Sequence, residues 1–293
     1  LRSSSAASDV YKRQVLKYLS ENRYKGEIKG LVLDWSGTTA DAYVIAPTIV
    51  FVEVFKKQKV VISMEEAREP MGLRKDLHIK ALTENAEIRK RWNIVHGKDP
   101  QMSDVENMYA DFVPLQLKCL KQYSKLLPGT AEVIKRVQNS GIKVGCTTGF
   151  VRSMVNILEE ESAKQGYVPD ASVAGDDVKN GVRPLPHMLY KNLDIMNIES
   201  IQSVIKVDDT VSGIGEAINA GCWGVGVTRY SNYMNINSLE EADELSKEEI
   251  DMKQGYAKDL LYKAGAHYVI ETIADIEAVI DDINKRLSRG EGP

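Results

Sequence analysis

Six short apolar, largely β-branched runs each stop at a cluster of small polar or acidic residues, and this repeat constrains the fold more than any other feature of the chain. They are GLVLDW (30–35), IKVGCTT (142–148), DASVAG (170–175), SVIKVDDT (203–210), CWGVGVT (222–228) and HYVIET (267–272). Short apolar runs bounded by turn residues read as strands buried on both faces. Amphipathic stretches such as TAEVIKRVQNSG (130–141) and EAINAG (216–221) lie between them. Strands alternating with helices at this spacing predict βαβ units, hence an α/β fold with a Rossmann-like, doubly wound parallel sheet covered on both faces.

The spacing has one anomaly. More than a hundred residues separate GLVLDW from IKVGCTT, whereas a crossover needs only a dozen or so residues plus a helix. Between Ala46 and Tyr123 the pattern is helical, with almost no strand signal (APTIVFVEVFKKQ, SMEEARE, LRKDLHIKALTE, EIRKRWNIV, DVENMYADFVPLQLKCL). The expected organisation is therefore a core of residues 27–43 and 124–293 interrupted by an all-helical domain over 44–123. Residues 1–26 are expected to be a tail. The opening LRSSSAASDVYKRQ is Ser-rich, has no apolar stretch and no initial Met, and reads as a tail, a fragment edge or a scar. It is also compatible with the remnant of an organelle transit peptide, although Asp9 interrupts that pattern.

Composition narrows the function classes. The chain carries 42 acidic against 38 basic residues, for a net charge of −4, with no basic stripe interleaved with aromatics. It lacks the electrostatic footprint of a nucleic-acid binder. Charged residues interrupt every apolar segment before the roughly 18–20 residues of a membrane span. Three cysteines, Cys119, Cys146 and Cys222, have neither redox nor metal spacing, which suits a reducing, cytoplasmic setting.

In an open parallel sheet, ligands bind beyond the carboxyl ends of the strands. Those ends read Asp34-Trp35-Ser36-Gly37-Thr38-Thr39, Thr147-Thr148-Gly149 and Asp208-Asp209-Thr210, with Arg183-Pro184 between the last two. Carboxylates, small hydroxyls, free backbone N–H groups and a cation at one edge suit a metal ion together with a phosphoryl group. Taken singly, each is more ordinary: a strand-end Asp is commonly a turn-former or a helix cap.

The ordered set resembles the haloacid dehalogenase superfamily, and the helical insert looks like that superfamily's cap. Within it, DWSGTT, REPMGLRKDLHIKAL, GCTTGF, GVRPLP, IKVDDTVS and AGAHYVIET resemble the phosphonoacetaldehyde hydrolase family, over about residues 27–285. The resemblance implies cleavage of the carbon–phosphorus bond of phosphonoacetaldehyde. Asp34 would be the nucleophile and Lys75 the Schiff-base lysine, with Met71 and Gly72 in the substrate loop and His78 moving protons. Mg²⁺ would be held by Asp34, the Ser36 carbonyl and Asp209, and the phosphoryl group by Thr148, Gly149 and Arg183. A homodimer joined through the cap is also implied, and IVFVEVF (49–55) would suit that contact or the cap's own core equally.

A lysine makes chemical sense here, because the carbanion left by a broken C–P bond needs an electron sink, and a protonated imine is one. On a helical wheel Lys75 lies with His78, Ile79 and Leu82, while Leu73, Leu77 and Ala81 form an opposite apolar strip. The expectation is a helix sandwiched on both sides, with a desolvated, partly neutral lysine. A surface lysine lying along the cap is the plainer alternative.

Four positions depart from the family pattern: Ser36 where Ala is usual, Phe150 where Tyr is common, Asp208 where Gly is usual and Gly213 where an acidic residue is usual. The last two predict an altered metal site, with Asp208 competing with Asp209 and a supporting carboxylate lost. The rival readings are a phosphatase or phosphomutase acting on a phosphate ester, and a catalytically dead binding protein. Ser36 speaks against the first, since it stands where such enzymes place a second acidic residue to protonate an alkoxide. Trp35, Trp92, Trp223, His96, His187 and His267 are expected to be structural, and residues 239–259 to form a solvated helical face.

Overall fold

A computed structural model of the chain describes residues 9, 10, 12, 13 and 24–293. The expectations for the N-terminal tail fall largely outside these residues. Six parallel strands form one sheet: β1 (Gly30–Leu33), β2 (Lys143–Thr147), β3 (Ala171–Val173), β4 (Val204–Asp208), β5 (Trp223–Val227) and β6 (Tyr268–Ile270), in the order β3-β2-β1-β4-β5-β6. All four residues of β1 and all five of β4 are buried, as a sheet covered on both faces requires. Leu31 pairs with Val144 on one side and Ile205 on the other, and the strand order turns between β1 and β4. This is the α/β architecture expected from the repeat.

Between β1 and β2 the chain forms α1 (Ile45–Lys57), α2 (Met64–Arg68), α3 (Lys75–Glu84), α4 (Ala86–His96) and α5 (Met102–Leu120). Local signals place their ends. Ser63 and Glu66 form a capping box on α2, Asn85 caps α4, and Gly97 at φ 69° ends it. Helix α5 packs across α1 and α3, burying Phe51, Val54, Phe55, Ile79, Leu82, Ile88, Trp92, Met108 and Phe112. Four residues of IVFVEVF (Val50, Phe51, Val54 and Phe55) are thus buried within the insert, while Ile49 is exposed.

The core helices are α6 (Thr130–Asn139), α7 (Arg152–Lys164), α8 (His187–Met196), α9 (Val211–Ala220), α10 (Leu239–Glu244), α11 (Lys247–Lys263) and α12 (Ile276–Ser288). Helices α8, α9 and α11 adjoin one another on the sheet, while α6 and α12 form a separate pair. Helix α10 buries no residue and α11 only Ala257 and Leu261, as the acidic composition of 239–259 predicts. Trp35 packs on Tyr167 and Trp223 against His267. None of the described helices is long and apolar enough to cross a membrane.

The chain leaves the sheet for α1 through Asp41, Tyr43 and Val44, all at positive φ. Such a conformation costs a β-branched residue about 1–3 kcal/mol. The Asp41 carboxylate stabilises this exit by accepting the Ile45 and Ala46 N–H groups at 3.1 and 3.2 Å.

Candidate active site

The carboxyl ends of β1, β2 and β4 meet the 71–75 loop of the insert around one cavity of about 20 Å³. Asp34, Ser36, Met71, Gly72, Lys75, Thr148, Gly149, Arg183 and Asp209 all line it, together with Phe150 and Thr210. Of the expected site residues, His78 alone does not.

Asp34 follows β1 directly. Its N–H continues the ladder to Val207 O at 3.1 Å, and its carbonyl accepts the Thr39 hydroxyl at 2.9 Å, so the carboxylate is fixed at the sheet edge. Arg183 is fully paired below it. Nη1 lies 2.8 Å from Asp34 Oδ1 and 3.2 Å from Asp208 Oδ2, Nε lies 3.1 Å from Glu216 Oε2, and Nη2 donates to Thr147 O and Oγ1 at 2.6 Å. Lys206, wholly buried in β4, sits 2.9 Å from Asp208 and 3.8 Å from Glu216.

The two neighbouring aspartates divide cleanly. Asp208 accepts from Thr210 N and Oγ1 with one oxygen and meets Lys206 and Arg183 with the other. Burial would raise its pKa, but those two cations hold it below the usual carboxylate range. Asp209 has one oxygen bonded to Asn232 N at 2.7 Å, while Oδ1 is buried without a hydrogen-bond partner. Burial, reinforced by the charges of Asp208 and Asp34, raises Asp209 well above the ordinary range. Asp34 is also raised, by burial first, with Arg183 opposing. The two aspartates, expected to compete, therefore differ in their partners: Asp208 is engaged through both oxygens and Asp209 through one.

Carboxylate oxygens of Asp34, Asp208 and Asp209 come within 4.8 Å of one another. Four buried carboxylates (Asp34, Asp208, Asp209 and Glu216) face two buried cations, Arg183 and Lys206, with Lys75 as a third across the cavity, so the fully ionised cluster carries an excess of negative charge. An all-oxygen donor set, the unpartnered Asp209 Oδ1 and an excess of negative charge fit a hard divalent cation.

Lys75 opens α3 and is 5% exposed. Its ammonium lies 4.8 Å from the centroid of the Phe150 ring and 5.6 Å from that of Phe51. Burial lowers its pKa to about 8 against the pull of Asp34, and a place at a helix N-terminus disfavours a cation further. The two-sided sandwich expected of α3 is not formed. Lys75, His78, Ile79 and Leu82 are buried, but Leu77 is exposed and Leu73 and Ala81 are half-buried, because α1 and α5 cover only one face. The lysine is desolvated by the aromatic rings at its tip.

Gly72 explains how the insert reaches the core. It has φ +92°, and a Cβ there would stand 2.0 Å from Ser212 Oγ and 2.6 Å from Thr210 Oγ1. No side chain fits that contact. His78 lies one turn beyond Lys75, stacked on Phe51 with centroids 3.7 Å apart. Its Nε2 pairs with Ala67 O at 2.9 Å, its Nδ1 is buried without a partner, and burial holds its pKa well below 6.5. It is a neutral ring inside the insert.

The haloacid dehalogenase-like hydrolase model matches residues 28–221. Phosphonoacetaldehyde hydrolase of Klebsiella pneumoniae is 40% identical over 91% of this chain and 99% of its own length. The chain belongs to the phosphonoacetaldehyde hydrolase family. The crystal structure of a phosphonoacetaldehyde hydrolase-like protein from Oleispira antarctica superposes with a TM-score of 0.89 at 38% identity, covering 92% of this chain and 98% of that one. A bifunctional phosphonoacetaldehyde hydrolase/aminoethylphosphonate transaminase of Clostridioides difficile is 38% identical over 92% of this chain, which spans 42% of that longer protein.

Within this family member, several site residues carry no local sequence signal. Lys206 and Glu216 sit at apolar-periodic positions, and their pairing appears only when β4, α9 and Arg183 converge. Asn232 binds Asp209 through its N–H, and its side chain exchanges bonds with Arg68, whose guanidinium also reaches Tyr43 O and Ile236 O. Arg68 thereby ties the insert to the loop that supports Asp209.

Proposed function

We propose that this chain hydrolyses the carbon–phosphorus bond of phosphonoacetaldehyde to acetaldehyde and phosphate. The observation that carries the reading is the shared cavity of Lys75 and Asp34. An amine with a pKa near 8 faces a carboxylate backed by an arginine.

The free amine of Lys75 attacks the aldehyde carbon, and loss of water gives an imine that is protonated on nitrogen. Asp34 then attacks phosphorus. As the C–P bond breaks, its electron pair flows into the iminium, leaving a neutral enamine on Lys75 and a phosphoryl group on Asp34. Protonation of the enamine carbon and addition of water release acetaldehyde, and a second water cleaves the aspartyl phosphate. The Thr148–Gly149 turn holds the phosphoryl oxygens, and Arg183 joins it through Nη1 by giving up its contact with Asp34, so that attack is in line. His78, outside the cavity, supports the Lys75 setting through its stack on Phe51, and Met71 and Gly72 close the pocket over the aldehyde. Asp34, Asp209 and the Ser36 carbonyl would hold Mg²⁺, which supplies charge neutralisation between carboxylate and phosphonate. The family resemblance extends this proposal to a homodimer joined through the insert.

Reduction with borohydride tests the lysine directly. In the presence of phosphonoacetaldehyde it should inactivate the enzyme and add the substrate-derived mass to the peptide containing Lys75. Modification of a different lysine, or none, would remove Lys75 from the mechanism. The metal is tested separately. Mg²⁺ at about a hundred times its Kd should stabilise the protein by about 2.7 kcal/mol, and Asp209→Asn should erase that gain. An equal gain in the variant would place the ion elsewhere.

A further inference from the structure

The aspartate at 208 and the glycine at 213 stand in reverse of the pattern the chain otherwise follows, and the structure shows that the two positions share one volume. Asp208 ends β4, and Gly213 is the third residue of α9, one turn further on. A Cβ built on Gly213 would stand 1.9 Å from Asp208 Cγ, and 2.0 and 2.2 Å from its two carboxylate oxygens. Those atoms belong to a fully buried side chain held at four points by Thr210 N, Thr210 Oγ1, Lys206 and Arg183. The carboxylate has no room to withdraw.

We infer that Asp208 and Gly213 form one interdependent unit, in which the strand-borne carboxylate occupies the space of a side chain at 213 and positions Arg183 for the phosphoryl group. The carboxylate stands at the strand end, and the bare backbone at 213 is the condition for it. Asp208 touches no substrate. It is a positioning residue, acting through Arg183 Nη1, which it shares with Asp34, and through Lys206. The inference rests on the reading of Arg183 as the phosphoryl-binding cation.

A set of variants tests the coupling. Asp208→Gly leaves Lys206 and Arg183 short of a partner, and should lower the melting temperature of the metal-free protein and weaken binding of inorganic phosphate by about tenfold. In the kinetics it should raise KM more than it lowers kcat. Gly213→Ala in the natural background should also lower the melting temperature, because the methyl group meets the Asp208 carboxylate. In the Asp208→Gly background the same alanine should be tolerated, since the obstructing atoms are gone. Asp208→Gly with Gly213→Asp, which returns the carboxylate from the helix, should recover phosphate affinity relative to Asp208→Gly alone.

Penalties that add independently in the double variants would overturn the inference, as would unchanged phosphate affinity in Asp208→Gly. If Gly213→Asp fails to fold by itself, the alanine pair still decides the steric coupling. Melting and phosphate binding require no turnover. The unit can therefore stand in a chain that cleaves no phosphonate, and it can fall in one that does.

Discussion

Lys75→Met is expected to abolish cleavage of phosphonoacetaldehyde while making the protein more stable, by about 3 kcal/mol near pH 7. The activity loss follows from removing the atom on which the imine is proposed to form. The stability gain follows from burial. A lysine titrating at 10.5 when exposed and at about 8 here is disfavoured as a cation by about 3 kcal/mol in the folded state. The sign is fixed by the direction of the shift. Below about pH 8 the lysine is charged in both states and the folded state bears the full penalty. Between about 8 and 10.5 the folded lysine is neutral, the penalty fades, and above 10.5 it is gone. Methionine fills similar space between Phe51 and Phe150 without the charge. Denaturant unfolding at pH 7 and pH 10.5 should show the gain at the first and lose it at the second. A variant less stable than the natural chain at pH 7 would mean that the ammonium is a favourable partner there and not a strained group held for catalysis.

Arg183→Met should have the opposite effect on stability, a loss of about 3–5 kcal/mol. The guanidinium is 2% exposed and meets Asp34, Asp208 and Glu216 at 2.8, 3.2 and 3.1 Å. Those three carboxylates raise its pKa further despite the opposing cost of burial. Removing it leaves buried negative charges with only Lys206 beside them, and breaking a buried network on one side is strongly destabilising. Against a typical total of about 5–15 kcal/mol, that is a large share of the fold. Arg136→Met is the natural control. Arg136 meets Glu277 in a comparably close ion pair, but both side chains are about half exposed, so its loss should barely move the denaturant midpoint. Similar shifts in denaturant midpoint for the two variants would show that the buried cluster is not what the folded state depends on.

Lys75 and Arg183 both owe these effects to tertiary neighbours, and that dependence divides what is legible in the amino-acid sequence from what is not. Strand order is not needed to find the site. Chemistry at strand ends is a local property, and Asp34, Thr148 and Asp209 all follow directly from where apolar runs stop. Met71, Gly72 and Lys75 are reached through the resemblance, and the fold brings them onto the same cavity because Gly72 lets the insert touch Thr210 and Ser212. Residues whose roles are set by distant partners escape such a reading. Lys206 in IKVDD and Glu216 in GEAIN lie inside periodic apolar segments, and nothing in those segments says that Arg183 will arrive between them. The destination of Asp208 is hidden for the same reason. Its position next to Asp209 suggests a rival metal ligand, whereas its oxygens are occupied by Thr210, Lys206 and Arg183. The strip of Leu73, Leu77 and Ala81 looks buried in the sequence because helical periodicity reports apolarity and cannot say whether a neighbour exists to cover it. IVFVEVF shows the converse, an apolar run of which Val50, Phe51, Val54 and Phe55 are buried by their own domain.

If an imine on Lys75 is what makes the carbon–phosphorus bond breakable, the most direct test compares the natural chain with Lys75→Arg on two substrates. Phosphonoacetaldehyde and a simple phosphate ester are supplied with Mg²⁺, and phosphate and acetaldehyde are measured. Arginine keeps the positive charge but cannot form the imine. The expected result is equimolar phosphate and acetaldehyde from the phosphonate, little turnover of the ester, and loss of phosphonate cleavage by at least about a thousandfold in the variant, since positioning alone cannot replace the electron sink. Phosphonate cleavage that survives the substitution, or ester hydrolysis indifferent to it, would contradict the imine mechanism and make Asp34 the nucleophile of an ordinary phosphatase.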